Sequence, residues 1–231
     1  MVSAIHKRLG ALFIVLIFLY LYMRFFTNYV DFTYFHQTHE RTAGTPLLVT
    51  VYYEALCGDS KHFIIRQLLP AFKQAEPLME IQMIPYGKAK TFTEPDGTYR
   101  FECQHGSVEC EGNMYHACAI EAIESTKDRL NVIACMIRDN RAPKEAMHKC
   151  TRQYGIENTD LIQKCFNSSH GGELLKLYGE ATEALRPPVK FIPTITLDGS
   201  QFRQATILKD LLGEVCRTLG ETEQTKKYCI S

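Results

Sequence analysis

The chain reads as an α/β protein with a disulfide-rich helical insertion, and three observations carry that reading. Leu47 to Tyr53 (LLVTVYY) is β-branched and aromatic behind Pro46, the pattern of a buried strand. Cys57-Gly58-Asp59-Ser60 interrupts it, and Phe63, Ile64, Gln67, Leu68, Ala71 and Phe72 then recur at helical spacing. A second strand follows at Met79 to Ile84, stopped by Pro85 and Gly87, so the order is strand, cysteine turn, helix, strand. Asp59 or Ser60 is the expected N-cap of the first helix.

From about Lys88 to Arg186 the chain holds six of its nine cysteines, with helical stretches such as Ala117 to Leu130 and Thr159 to Phe166 and little strand character. This segment is the expected insertion. Arg186-Pro187-Pro188 ends it, and Thr194 to Leu197 supplies a further strand. Asp198-Gly199 is a hairpin-type turn signal, and Gln204 to Leu219 closes as an amphipathic helix with Ile207, Leu211, Leu212 and Val215 on one face. There is no internal repeat.

The 26 basic and 26 acidic residues cancel, and neither a basic run nor an aromatic-rich basic stripe is present, so nucleic acid is not an expected partner. The N-terminus stands apart from the globule. Lys7 and Arg8 precede the apolar run Leu9 to Met23, which Arg24 ends and which Phe25 and Phe26 could extend. Residues 1–26 are expected to be a signal peptide or a signal anchor, with the membrane reached through residues 9–26. The bulky Phe25-Phe26-Thr27-Asn28-Tyr29 favours the uncleaved anchor. Residues 27–45 read as a tether and residues 46–231 as the folded domain, with the insertion at about 88–186.

That topology puts the domain in an oxidising compartment, where cysteines pair. Nine is odd, which leaves Cys57 as the candidate free thiol. Cys103, Cys110, Cys118, Cys135, Cys150, Cys165, Cys216 and Cys229 can form four bridges, in any of about 105 pairings that spacing does not choose among. Asn167-Ser168-Ser169 is a glycosylation sequon suited to a lumenal surface.

A cysteine where a buried strand meets a helix start has a specific consequence. Unpaired backbone N–H groups and the helix dipole favour the thiolate, the species that attacks disulfides. C-x-x-C near a βαβ pattern is the thioredoxin-type redox motif. In this chain the fourth position is Ser60, so the attacking thiol is present and the usual resolving thiol is absent. Ile192-Pro193 stands just before the later strand, where thioredoxin-like folds carry a cis-proline opposite the cysteine. Pro193 is therefore expected to shape a substrate groove.

Further residues form a recognisable constellation: Cys103-Gln104-His105-Gly106, then Glu109-Cys110, Asn113 and Cys118. Tyr52-Tyr53-Glu54-Ala55-Leu56-Cys57, Ile84-Pro85-Tyr86-Gly87 and the Pro-Pro to Ile-Pro run from Pro187 to Pro193 accompany it. With these, the chain from about Pro46 to Cys229 resembles the gamma-interferon-inducible lysosomal thiol reductases (the GILT family). The resemblance implies a thioredoxin-like fold with a helical insertion, and a lumenal enzyme that reduces protein disulfides at acidic pH. Of the family's C-x-x-C centre, only the first cysteine carries over, onto Cys57.

The expected function is thus a lumenal or secreted thiol-disulfide oxidoreductase, lysosomal or extracellular and with or without a membrane anchor. Cys57 is its nucleophile, Ser60 stabilises the thiolate, disulfide-containing proteins are the substrates and a small thiol is the reductant. The alternative is a thioredoxin-fold protein that binds such substrates without turnover. No cofactor and no metal are expected: the Cys103, His105, Cys110, His116, Cys118 cluster has no common zinc spacing, and its compartment favours bridges. His62, five residues after Cys57, does not share a helical face with it. Glu54 reads as a strand-end carboxylate facing solvent.

Overall fold

The computed structural model describes residues 16–24 and 44–229. Residues 16–24 are helical and solvent-exposed, and among the described residues no helix is long and apolar enough to cross a membrane. The rest of the expected leader, and the tether up to residue 43, lie outside the described residues. The folded unit begins at Pro46.

Strand β1 (Leu47–Tyr53) is the centre of a three-stranded sheet. It pairs in parallel with β2 (Met79–Pro85), Val49 opposite Ile81, and antiparallel with β5 (Thr194–Leu197), Tyr52 opposite Thr194. Both partners cover the edges of β1, and its side chains are buried nearly throughout, which is why LLVTVYY is a continuous apolar run and not an alternating one. The parallel β1–β2 pair needs a crossover, and the helices after Cys57 supply it. They run as α1 (Gly58–Phe63), a π-helical turn (Ile64–Leu68) and α2 (Leu69–Ala75). Pro70 explains the widened turn: it offers no N–H to the Arg66 carbonyl and its ring crowds the preceding turn.

The N-cap of α1 is Cys57, two or three residues earlier than the Asp59 or Ser60 expected from capping preference. Tertiary contacts to residues 54–57 outweigh a side-chain cap, which Cys57 does not supply. The sheet is small and mixed, in the order β2-β1-β5. The Asp198-Gly199 turn, with both residues at positive φ, closes only a single bridge between Leu197 and Ser200.

The insertion is largely helical, as its composition implies, but it also contains a hairpin, β3 (Lys90–Thr93) and β4 (Tyr99–Glu102). Both strands are mostly exposed. Arg100 secures them, paired with Glu94 (2.8 Å) and Glu102 (2.7 Å) and lying over the Phe92 ring. The helices are α3 (Ser107–Ala122), α4 (Thr126–Met136), α5 (Pro143–Gln153), α6 (Thr159–Asn167) and α7 (Ser169–Glu183). The stretch expected as one helix over 117–130 is two, because Ser125 caps α4 by accepting the Asp128 N–H. The closing helix divides in the same way into α8 (Gln204–Ile207) and α9 (Leu211–Leu219), where Asp210 caps by accepting the Gly213 N–H. A last helix, α10 (Glu223–Tyr228), carries a capping box at Thr222 and Thr225.

One apolar core joins the sheet (Val49, Val51, Ile81, Ile195), the crossover (Phe63, Ile64, Leu68, Phe72), the insertion (Tyr115, Ala119, Leu130, Ile133) and α9 (Leu211, Val215). Each large side chain removed from water in this way contributes about 1.5–3 kcal/mol before chain entropy is set against it. Bridges add covalent constraint: Cys103–Cys110 closes the loop before α3, Cys118–Cys165 ties α3 to α6, Cys135–Cys150 ties α4 to α5, and Cys216–Cys229 ties α9 to the residue after α10.

Candidate functional site

The register of the sheet creates the site. Because Tyr52 lies opposite Thr194 in an antiparallel pair, the residues that leave β1 run beside those that enter β5. Cys57 therefore meets the Phe191-Ile192-Pro193 segment, whose Ile192–Pro193 peptide is cis, and its thiol donates to the Ile192 carbonyl across 3.7 Å. Cys57 is partly exposed, and it is the one cysteine outside a bridge among the described residues. Pro193 is buried, while Phe191 is exposed.

Residues 54–57 are held from several sides. The Ala55 N–H donates to Asn113 Oδ1 (2.8 Å), and Asn140 Nδ2 donates to the Ala55 carbonyl (3.1 Å). The Leu56 N–H donates to Glu109 Oε2, the Glu54 N–H to Ser60 Oγ, and the Cys57 N–H to the Glu54 carbonyl, each at 3.3 Å. Glu109, Gly112, Asn113 and His116 recur at i, i+3, i+4 and i+7 on α3, and all four are buried. That face of α3 is thus a polar stripe packed on the end of β1. Gly112 permits the approach: a Cβ there would stand 2.8 Å from Asn140 Nδ2 and 3.0 Å from Ala55 Cβ. At the end of the stripe, His116 Nδ1 pairs with the Tyr53 hydroxyl at 2.9 Å. Burial of His116 lowers its pKa from 6.5 to about 3, so the ring is neutral.

Ser60 is fully buried, and its hydroxyl oxygen accepts the Glu54 N–H. Asp59 and His62 are exposed on α1. Asn167 is exposed at the end of α6. The cysteines of the Cys103, His105, Cys110, His116, Cys118 cluster are consumed in two different bridges, and His116 faces Tyr53 instead.

Glu54 does not face solvent as its strand-end position implied; it is 1% exposed. Its Oε1 accepts the Lys88 N–H at 2.8 Å, and burial raises its pKa against the opposing effect of that bond. Gly87 makes the room, at φ +63, for a Cβ there would stand 2.1 Å from Glu54 Cγ. Reading the strand alone could not reveal this. The signal lies in Gly87 after Pro85 and in the polar residues at helical spacing from Glu109 to His116.

The thiol thus stands at the N-cap of the crossover helix and faces the cis Ile192–Pro193 step that precedes an antiparallel strand. Residues 48–154 match the family described as gamma interferon inducible lysosomal thiol reductase (GILT). The chain is 35% identical over 201 residues to the gamma-interferon-inducible lysosomal thiol reductase of Carassius auratus, covering 81% of this chain and 78% of the relative. To the protein of the same name from Mus musculus it is 30% identical over 180 residues, covering 78% and 70%. It is also similar to a solved structure from Pseudomonas syringae, a candidate protein-disulfide isomerase, at TM-score 0.48 and 14% identity over 77% of this chain and 96% of that one. The chain belongs to the GILT family.

Proposed function

We propose that this protein is a thiol-disulfide oxidoreductase of the secretory pathway that acts on protein disulfides through Cys57 alone. The observation that carries this is the single unbridged cysteine, set at the N-cap of α1 and against the Ile192 carbonyl. The Cys57 thiolate attacks one sulfur of a substrate disulfide. That S–S bond breaks, a mixed disulfide forms, and the second substrate sulfur leaves as a thiolate that takes up a proton. Ser60 cannot resolve the mixed disulfide, since a hydroxyl carries no exchangeable sulfur. An external small thiol then attacks Cys57 Sγ and frees the reduced substrate. A second such thiol removes the first as a small-molecule disulfide, returning Cys57; the two thiols supply the two electrons. If a substrate thiol attacks the mixed disulfide instead, the outcome is isomerisation.

The four bridges support an oxidising compartment. Residues 9–26 serve as the entry signal, either cleaved or retained as an anchor. Sequencing the N-terminus of the protein purified from cells decides: a start within 27–45 means cleavage, an intact Lys7-Arg8 means an anchor.

The catalytic reading is tested by following reduction of a protein disulfide with cysteine as reductant, for the parent, Cys57→Ser and Ser60→Cys proteins. Cys57→Ser is expected to lose turnover, and Ser60→Cys to gain it by restoring an internal resolving thiol. Equal rates in the parent and Cys57→Ser, or a Cys57 that resists alkylation at pH 5 to 6, would overturn the proposal.

A further inference from the structure

Behind the cysteine loop, three donor atoms converge that the thiol chemistry does not use. Glu54 Oε2 lies 3.5 Å from His105 Nδ1, and His105 Nδ1 lies 2.6 Å from Glu109 Oε2. All three atoms fall within 4.8 Å of one another. Both carboxylates are 1% exposed, whereas His105 is 41% exposed and opens the cluster to solvent.

The remaining lone pairs are largely accounted for. Glu54 Oε1 accepts the Lys88 N–H, Glu109 Oε1 accepts the His105 N–H at 3.0 Å, and Glu109 Oε2 also accepts the Leu56 N–H. Glu54 Oε2 is the exception: it is buried and has no hydrogen-bond partner among the described residues. A buried carboxylate oxygen without a partner is costly, and two buried carboxylates aimed at each other add repulsion. The chain nevertheless makes room for the arrangement, since Gly87 removes the Cβ that would exclude the Glu54 side chain.

We propose that Glu54, His105 and Glu109 form a binding site for a divalent cation of the zinc class. Two carboxylates and one imidazole are ordinary ligands for such an ion at about 2.0–2.2 Å, with tetrahedral ligand–ligand separations of about 3.3–3.6 Å. The 3.5 Å between Glu54 Oε2 and His105 Nδ1 fits that spacing, while the 2.6 Å His105–Glu109 contact is a hydrogen bond whose shared proton the ion would displace. The ion gives Glu54 Oε2 its missing partner and neutralises the carboxylate pair. Water completes the coordination on the open, His105 side. The backbone N–H groups of Lys88 and His105 hold Glu54 Oε1 and Glu109 Oε1 from behind, as outer-shell donors do in metal sites, and the Leu56 N–H steadies Glu109 Oε2 itself. The Cys103–Cys110 bridge closes the loop that carries His105, holding the imidazole over the carboxylates.

The inference is independent of the oxidoreductase reading and is tested by binding. The full chain, oxidised and with Cys57 alkylated so that no free thiol competes, is titrated with Zn²⁺ in a calorimeter at neutral pH. One equivalent is expected, with affinity at least tenfold weaker in Glu54→Gln and in His105→Gln. The His105 variant alters an exposed side chain and so keeps the fold if the Glu54 variant does not. His170→Gln, at the exposed His170–Glu121 pair, is expected to bind as the parent does. Absence of saturable uptake, unchanged affinity in His105→Gln, or loss of binding in His170→Gln would each overturn the proposal.

Discussion

His116 makes the stability of this fold depend on pH in a way that can be calculated. The ring is wholly buried, its Nδ1 engaged by the Tyr53 hydroxyl and its Nε2 without a partner among the described residues. Desolvation sets its pKa at about 3 in the folded protein, against 6.5 for the free side chain. As pH falls below 6.5, the unfolded chain takes up a proton that the folded chain refuses, so the folded state loses ground until about pH 3. One pH unit corresponds to about 1.36 kcal/mol, and integration between pH 7 and pH 5 yields about 2 kcal/mol of lost stability. His116→Gln retains a polar atom for the Tyr53 hydroxyl but removes the titration. Urea unfolding of the oxidised parent and variant at both pH values is expected to show the loss from pH 7 to pH 5 reduced by about 2 kcal/mol in the variant. An identical loss in both proteins would refute the reasoning. So would an NMR titration of the parent placing the His116 midpoint above pH 5, a measurement that does not require the variant to fold.

Three further outcomes are expected. Removing the Cys118–Cys165 bridge with a double alanine substitution opens a 47-residue loop and should cost about 4 kcal/mol in oxidised-state denaturant unfolding. An unchanged midpoint would mean that the chain-entropy argument fails for this bridge. Gly87→Ala forces a left-handed φ on a residue with a Cβ and drives that Cβ into Glu54, so the melting temperature should fall by the equivalent of about 2–4 kcal/mol. A melting temperature equal to the parent's would show that Glu54 is not packed against Gly87. Glu214 is held at about pKa 2, chiefly by its bond to Arg203 and further by Arg217. Its contribution is present above about pH 4.5 and is lost as pH falls through about 2, worth about 1–2 kcal/mol given the half-exposed arginines. Glu214→Gln should therefore flatten acid unfolding in that window, and an acid profile matching the parent's would contradict the pairing.

The parts of the fold visible in the sequence are those with a local cause. The β1 run, the cysteine turn, β2, β5 and the Ile192-Pro193 step each declare themselves within a few residues. Two helix breaks are also written locally, at Ser125 and Asp210, but good apolar spacing on either side masks them. The β3–β4 hairpin lacks apolar alternation because its strands are exposed. Its mark is the turn chemistry of Pro95-Asp96-Gly97, with the Gly97 N–H donating to the Glu94 carbonyl. Cys57 could be singled out from cysteine parity and from its place at a strand end. The burial of Glu54 could not, because it depends on Gly87 from after β2 and on α3 from the insertion, both far along the chain. Ser60 shows the same limit: its residue type is plain, but its engagement with the Glu54 N–H arises only when the loop is folded.

The anchoring of residues 54–57 also bears on which disulfides the protein can open. Displacement of sulfur by sulfur requires the attacking atom to approach along the axis of the bond that breaks. Asn113, Asn140, Glu109 and Ser60 clamp the backbone leading to Cys57, so on the proposed mechanism its sulfur has side-chain rotation and little else with which to seek that line. The adjustment falls to the other molecule. A disulfide in a loosened or partly unfolded chain can swing its axis onto Sγ, whereas one locked between well-packed strands cannot. On that mechanism, rigidity around Cys57 becomes a filter for conformational freedom in the substrate, selecting by softness and not by sequence.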